Sequence, residues 1–178
     1  MEIRRAEPRD IDGVLRLLHQ VLEVHAALRP DMFVSGTTKY SAEELENLFR
    51  DDTHPVYVAV DEVGRVLGHA FCAVQEPNGA AAMAQYRSLY IDDICVDEAA
   101  RGQHIATKLF EHVKKEAGRL GCYDMTLNVW TGNTGAEKFY EAMGMKPLKT
   151  TLRMVLDYTT KRTANAVLFY VYFGNRTS

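Results

Sequence analysis

The fold is decided by residues 89–109, which read LYIDDICVDEAARGQHIATKL. The first eight residues are rich in apolar and aromatic side chains and predict a strand, although two acids stand in its middle. The apolar residues that follow recur at helical spacing and predict a helix from about residue 105 to residue 120. Because a buried strand that runs through a short loop into a helix begins a β-α-β unit, the sequence predicts one parallel strand pair.

The chain on either side supplies the other predicted elements. Upstream, we predict a strand at 2–6, a helix that begins at Ile11 and ends at Arg29-Pro30-Asp31, a helix from Ser41 through Phe49, and a hairpin at 56–60 and 66–74. Downstream, we predict a strand at 125–130, a helix at 134–143 and a final strand at 151–156. This order predicts an α/β (α+β) fold with a mixed, mostly antiparallel sheet, a central parallel strand pair and helices on both faces.

Length and composition restrict the class of protein. A chain of 178 residues, 47% apolar and 25% charged, is typical of one globular domain that needs no disulfide. The net charge of −3 argues against general binding of nucleic acid or of an anionic membrane surface. The sequence shows no signal peptide and no apolar run of membrane-spanning length, so we expect a cytoplasmic protein with reduced cysteines. Its histidines lack the spacing of metal ligands, and we predict no metal site.

The loop that precedes the central helix has the features of a phosphate site. Backbone N–H groups without helical partners and the positive end of the helix dipole point outward at a helix start. Gly102 lets the main chain approach a ligand closely, and Arg101 adds a forked cation. From this segment alone, a turn with a surface charge is an equally good interpretation.

A second informative segment is NTGAEKFYEAMGM, residues 133–145. Asn133 stands where a helix begins, and its simplest interpretation is an N-cap. Phe139, Tyr140 and Met143 have the spacing of core residues, so Tyr140 on its own reads as a packed aromatic.

Together, the two segments resemble the GCN5-related N-acetyltransferase (GNAT) superfamily. The cofactor loop of that family reads Gln/Arg-x-x-Gly-x-Gly/Ala after a strand, and Arg101 and Ala106 match its two ends. The later segment of the family reads Asn-x-x-Ala-x-x-Phe-Tyr-x-x-x-Gly-Phe; the matches here are Asn133, Ala136, Phe139, Tyr140 and Gly144, with Met145 replacing the final Phe. The resemblance covers residues 1–156, which we predict to be the catalytic domain, with 157–178 as a C-terminal extension.

The resemblance implies that acetyl-CoA is the cosubstrate. Its pantetheine arm would pair with the main chain of the strand that ends Ile94-Cys95-Val96. Asn133 would form a hydrogen bond with the cofactor. Its pyrophosphate would lie on Arg101, Gly102, Gln103, His104, Ile105, Ala106 and Thr107. His104 departs from the family pattern, which has glycine there, and a histidine with positive φ at that position costs on the order of 1 kcal/mol. Two hypotheses remain: the imidazole donates to phosphate, or it caps the helix or points to solvent.

The resemblance also implies direct attack of a neutral amine on the thioester, with Tyr140 donating a proton to the CoA thiolate. A carboxylate is the natural group to deprotonate the amine. Asp92 is the predicted base, since polyamine-type members of the family have a similar Tyr-x-acid-acid sequence, and Asp93 is predicted to be a structural or substrate-orienting acid. Strand alternation predicts that the two acids point to opposite faces. In the alternative, Arg or Tyr neighbours satisfy both acids and water deprotonates the amine.

The acceptor is predicted to be a small primary amine, such as a polyamine, an amino acid or an aminoglycoside. Candidates for its pocket are His25, Arg29, Asp31, Tyr40 and Glu76. Two alternatives are a protein N-terminus or lysine as acceptor, and a non-catalytic acyl-CoA-binding sensor. The β-prone segment 166–173 in the extension predicts an additional strand or a contact in a homodimer.

Overall fold

The computed structural model describes residues 1–77, 79–82 and 84–156. Five strands and four helices follow one another along this part of the chain. In order, they are β1 (Glu2–Arg5), α1 (Ile11–Leu28), α2 (Ala42–Phe49), β2 (Val56–Val60), β3 (Val66–Gln75), β4 (Ser88–Val96), α3 (Ile105–Arg119), β5 (Asp124–Leu127) and α4 (Thr134–Ala142).

The strands form one mixed sheet in the order β1-β2-β3-β4-β5. Neighbouring strands are antiparallel from β1 to β4, and β4 and β5 are parallel. The predicted fold class is therefore confirmed, including the parallel pair that flanks α3. Within the described sheet, this pair lies at one end of the strand order.

The helices cover the sheet on two sides because successive residues of each strand point to opposite faces. Val58 belongs to the apolar cluster that α1 and α2 form with the sheet, whereas the ring of its neighbour Tyr57 lies 5.0 Å from that of His112 on α3. Gly68 on β3 allows the close approach of α3, since a Cβ there would lie 3.0 Å from the Leu109 side chain. α1 and α3 thus hold opposite faces of the sheet.

The predicted final strand is wrong. Residues 151–156 have no regular secondary structure, and Leu152 and Met154 are 90% and 82% exposed. Their alternating apolar pattern is typical of a strand, but a strand also needs a neighbour to satisfy its backbone hydrogen bonds. No described strand pairs with this segment.

The chain divides into two compact units, Met1–Met143 and Gly144–Ser178. All nine of the described helices and strands belong to the first unit. The predicted extension, residues 157–178, lies outside the described residues, so its additional strand and the domain limit at 156 stay predictions. In the described ranges, no helix has both the length and the apolar character needed to span a membrane.

Candidate active site

A β-bulge interrupts β4 at its two acids. Phe71 of β3 lies opposite Asp93 and the next residue, Cys72, lies opposite Ile91, so Asp92 has no partner in the register. An extra residue of this kind breaks the alternation of side chains along a strand. The prediction that Asp92 and Asp93 point to opposite faces is therefore wrong, and contacts of both acids lead to the α1–α2 side of the sheet.

Asp92 forms an ion pair with Lys39 from the loop between α1 and α2. Both side chains are partly exposed, Asp92 at 34% and Lys39 at 45%. Burial works to lower the pKa of Lys39, but the hydrogen bond and charge of Asp92 outweigh it, so this pKa lies above its usual value. Lys39 therefore stays an ammonium ion at neutral pH and holds Asp92 as its counter-ion.

Asp93 pairs with His69, which lies across from it on β3. The distance from His69 Nε2 to Asp93 Oδ2 is 2.8 Å, with His69 fully buried and Asp93 at 14% exposure. His69 Nδ1 is also buried, and no described residue gives it a hydrogen bond. An unpaired buried polar atom costs about 1–3 kcal/mol, so an imidazole at this position is expensive for the fold.

Stacked aromatic rings connect the two acid pairs. The Tyr40 ring, next to Lys39 in sequence, stacks on Phe71 at a centroid distance of 5.7 Å. The edge of the His69 ring meets Phe71 at 5.0 Å. Both acids thus face one partly apolar surface beneath the α1–α2 loop.

α4 brings Tyr140 to the same region. Its ring packs against Phe139 at 5.1 Å and against Phe110 of α3 at 6.2 Å. Burial raises the pKa of the Tyr140 hydroxyl well above its usual range, and the charges of Asp93 and Cys72 raise it further. Tyr140 therefore keeps its proton at neutral pH.

Beyond the bulge, β4 diverges from its parallel neighbour. Pairing between β4 and β5 runs only from Ser88–Asp124 to Ile91–Leu127, whereas β4 pairs with β3 as far as Val96. Among the described strands, the last part of β4 is therefore bonded on one side only. This part contains the predicted cofactor residues Ile94, Cys95 and Val96.

Asp97 fixes the chain immediately after β4. Its carboxylate is buried and accepts hydrogen bonds from Arg16 on α1 at 2.6 Å and from Arg65 at 2.9 Å. Burial works to raise the pKa of Asp97, but these hydrogen bonds, with one from the Ala99 N–H, lower it to about 2. The loop to α3 therefore starts from a rigid point.

The loop itself adopts the backbone that the cofactor interpretation requires. Gly102 and His104 have positive φ values of 79° and 57°, and His104 is the residue before α3. The first intrahelical bond joins the Lys108 N–H to the His104 carbonyl, so the N–H groups of residues 105–107 lack helical partners. Arg101, Gly102, Gln103 and His104 are exposed.

Asn133 caps α4, as its simplest interpretation predicted. Its Oδ1 accepts a hydrogen bond from the Ala136 N–H at 3.2 Å. The cap orients the helix that carries Tyr140. Its predicted hydrogen bond to the cofactor stays a prediction.

The predicted acceptor residues fall into three places. His25 and Arg29 share a cluster with Phe33 and Trp130, in which the Arg29 guanidinium lies 5.3 Å from the Trp130 ring centroid and pairs with Asp31. Tyr40 lies beside Phe71 on the surface that the two acids share. Glu76 instead pairs with Arg87 at 2.7 Å.

Sequence reasoning missed Lys39, His69 and Asp97. A histidine within the otherwise apolar strand 66–74, next to a strand with two acids, is the signal that points to His69. Lys39 offered no comparable signal, because its partner lies 53 positions away in the chain.

A bulged, acid-bearing strand separates from its parallel neighbour and leads into a helix start, which agrees with the fold that the resemblance implied. The sequence model of the acetyltransferase (GNAT) family matches residues 21–145. This chain belongs to that family.

Individual relatives agree with this assignment. Thialysine N-epsilon-acetyltransferase of Bos taurus is 27% identical over 157 residues, which are 82% of this chain and 84% of the relative. The solved structure of a mutant of the BH1408 protein from Bacillus halodurans is 29% identical, with a TM-score of 0.83 over 88% of this chain and 100% of that chain. An aminoglycoside acetyltransferase from a soil metagenome shares the fold at 19% identity and a TM-score of 0.68, over 88% and 96% of the two chains.

Proposed function

We propose that this acetyltransferase moves an acetyl group from acetyl-CoA to the primary amine of a small molecule. The observation that supports the proposal is the pair of acids Asp92 and Asp93 at the point where β4 leaves β5, with the charge of Asp93 acting on the pKa of Tyr140. In the proposal, an acid removes a proton from the amine and Tyr140 returns one to the leaving thiolate.

The residues present fit acetyl-CoA in two respects. The end of β4 offers unpaired main-chain groups to an extended amide-containing arm, and the start of α3 offers N–H groups and Arg101 to phosphates. Ile94, Cys95 and Val96 would hold the arm, while residues 101–107 would hold the pyrophosphate, with Asn133 as a further donor. The bound cosubstrate supplies an activated acyl group as a thioester.

The proposed reaction is a single displacement at the acetyl carbonyl. The amine nitrogen forms the new C–N bond, the C–S bond breaks, and Tyr140 gives its proton to the sulfur. A backbone N–H near the middle of β4 would steady the developing oxyanion. The carboxylates of Asp92 and Asp93 are the two candidates for the group that first takes the amine proton.

The state of Cys72 and Cys95 favours direct transfer over an acyl-enzyme on either of them. Burial raises the pKa of Cys72 and of Cys95 to about 12, so both are neutral thiols at physiological pH. A neutral, buried thiol is a poor nucleophile. We therefore expect a sequential mechanism, in which both substrates bind before either product leaves. Its double-reciprocal initial-rate plots intersect, whereas an acyl-enzyme gives parallel lines.

The acceptor class rests on two supports. The name of the bovine relative specifies acetylation of a side-chain amine of an amino acid, a small molecule. In this chain, the Asp92–Lys39 pair would offer a carboxylate to an ammonium group and an ammonium to an acidic group of the same molecule. An amino acid or a related zwitterion would match both charges.

The test is mass-spectrometric detection of acetylated products after incubation with acetyl-CoA and a panel of amino acids, polyamines, aminoglycosides and short peptides. Release of free CoA thiol is followed in parallel, and heat-denatured protein is the control. Acetylation of a small amine is the expected result. Products from peptides alone would move the acceptor class to proteins, and binding of acetyl-CoA without any turnover would favour a sensor.

A further inference from the structure

His69 is a fully buried imidazole that the proposed reaction does not yet use. Among the described residues, its Nε2 has one partner, Asp93 Oδ2 at 2.8 Å, and its buried Nδ1 has none. An ionised carboxylate only accepts hydrogen bonds, so this contact places a proton on Nε2 and makes His69 the donor. The unsatisfied Nδ1 is a cost to the fold. An apolar side chain would fill the same space without that cost, because the surrounding strand is apolar.

Asp93 lies opposite Phe71 in the register of β3 and β4, immediately after the unpaired Asp92. Its charge also acts to raise the pKa of Tyr140, of Lys39 and of the buried Cys95 thiol. Its side chain keeps 14% exposure although His69 is closed off from water. With Oδ2 held by His69, Oδ1 is the oxygen left to face an acceptor.

Asp92 and Asp93 have different ion-pair partners. The ammonium ion of Lys39 engages Asp92, and both groups are partly open to solvent. An incoming substrate ammonium can replace Lys39 as the counter-ion of Asp92. This exchange suits a group that binds the amine in its charged form.

We propose that Asp93 is the general base of the acetyl transfer and that His69 is its positioning residue. The amine N–H bond breaks, its proton passes to Asp93 Oδ1, and the nitrogen electron pair becomes free to form the C–N bond. His69 keeps donating from Nε2 to Oδ2, which aims Oδ1 at the nitrogen. In this scheme Asp92 has an earlier role: it binds the substrate as an ammonium ion, before Asp93 removes the proton. This inference rests on the proposed function and concerns the roles of two acids within it.

The experiment compares saturating kinetics of full-length variants on an amine that the wild type acetylates. D93N is expected to lower kcat by about 10²-fold or more with KM for the amine changed less than about threefold, because proton removal is lost. D92N is expected to raise KM for the amine about tenfold or more with kcat within about threefold, because an ammonium contact is lost. This split between KM and kcat separates the two roles.

Two substitutions of His69 test positioning. H69Q keeps an N–H donor in reach of Asp93 and is expected to retain kcat within about fivefold, whereas H69L removes the donor and is expected to lose about 10-fold or more. H112L, which removes the imidazole on the opposite face of the sheet, is the matched control and should leave kcat unchanged. Thermal melting verifies that each variant is folded at the assay temperature.

The outcomes separate the inference from the proposed function. Wild-type kcat in H69L, or a loss of kcat in D92N but not in D93N, overturns the roles of Asp93 and His69 while acetyl transfer stands. If H69L does not fold, two other results overturn the roles of Asp93 and His69. One is a loss of kcat in H69Q as large as the loss in D93N, and the other is an unchanged kcat in D93N. A wild-type protein that acetylates no amine overturns both proposals.

Discussion

At the scale of single residues, Tyr140 and His104 depart from what their side chains ordinarily show. Desolvation raises the pKa of the half-buried Tyr140 hydroxyl, and a positive φ of 57° puts His104 in a region that favours glycine. Such positions concentrate at functional sites, where the fold sustains a local cost. Each gives a prediction that depends on one side chain.

Y140F removes the proposed proton donor and keeps the packed ring. We expect kcat to fall by about 10²-fold or more, with the Kd for acetyl-CoA within about twofold of wild type. Stopped-flow or steady-state thiol release measures the first quantity, and calorimetry measures the second. Y123F, which removes a hydroxyl at a 77% exposed position, is the control. Equal losses of kcat and affinity in Y140F would show that the residue serves packing.

H104G tests whether the imidazole donates to a phosphate. We expect H104G to raise the Kd for CoA, because a donor to the pyrophosphate is lost. Calorimetry of the wild type and the variant measures the difference. An unchanged Kd would favour an imidazole that points to solvent.

At the scale of elements, the site depends on how β4 ends. The bulge places Asp92 and Asp93 on one side, and Asp97 ties the end of the strand to α1 through Arg16. Together these features set where the strand diverges from β5 and where the loop to α3 begins. The contacts of Asp97 therefore fix where the loop at residues 101–104 and the start of α3 lie.

D97N is predicted to weaken both the fold and the cofactor site. Loss of the carboxylate partners should lower the free energy of unfolding by about 2 kcal/mol and raise the Kd for acetyl-CoA. Because the pKa of Asp97 in the fold, about 2, lies below its ordinary value, its contribution is complete above about pH 4 and is lost as the pH falls through about 2. Urea unfolding at a series of pH values measures it. A difference from wild type that persists unchanged at pH 2 would contradict this assignment.

At the scale of the whole molecule, the described elements lie in the unit Met1–Met143. The proposed base, acid and cosubstrate residues all come from it. The last segment of the chain contributes the β-prone run at 166–173, which lies outside the described residues. The role of this segment is therefore tested through the solubility and the oligomeric state of the full-length protein.

Deleting residues 160–178 is predicted to change the solubility or the oligomeric state. An exposed segment rich in Val, Leu, Phe and Tyr would aggregate unless it is covered, so we expect it to extend its own sheet or to pair with a second copy of the chain. Light scattering of the full-length and truncated proteins measures both properties. An unchanged, soluble assembly after truncation would show that the segment takes no part in either contact.

The sequence by itself determined the types of the elements and the family. Apolar periodicity located α1 to α4 and β1 to β5, because the spacing of side chains toward a core is a local property. The segments 101–106 and 133–145 identified the family, because a helix start and its cap depend on residues adjacent in the chain. The sequence indicated only the cost of a positive φ at His104, and the structure shows that this residue has one, 57°.

Only the tertiary structure decided how the acids are used. Alternation along β4 predicted opposite faces for Asp92 and Asp93, but the pairing with β3 inserts a bulge, and register is a property of two strands. Lys39 and His69 reach these acids from a loop and a strand 53 and 24 positions away. The apolar alternation at 151–156 likewise formed no strand among the described residues, since a strand needs a partner. Contacts between distant segments depend on packing, which no local pattern encodes.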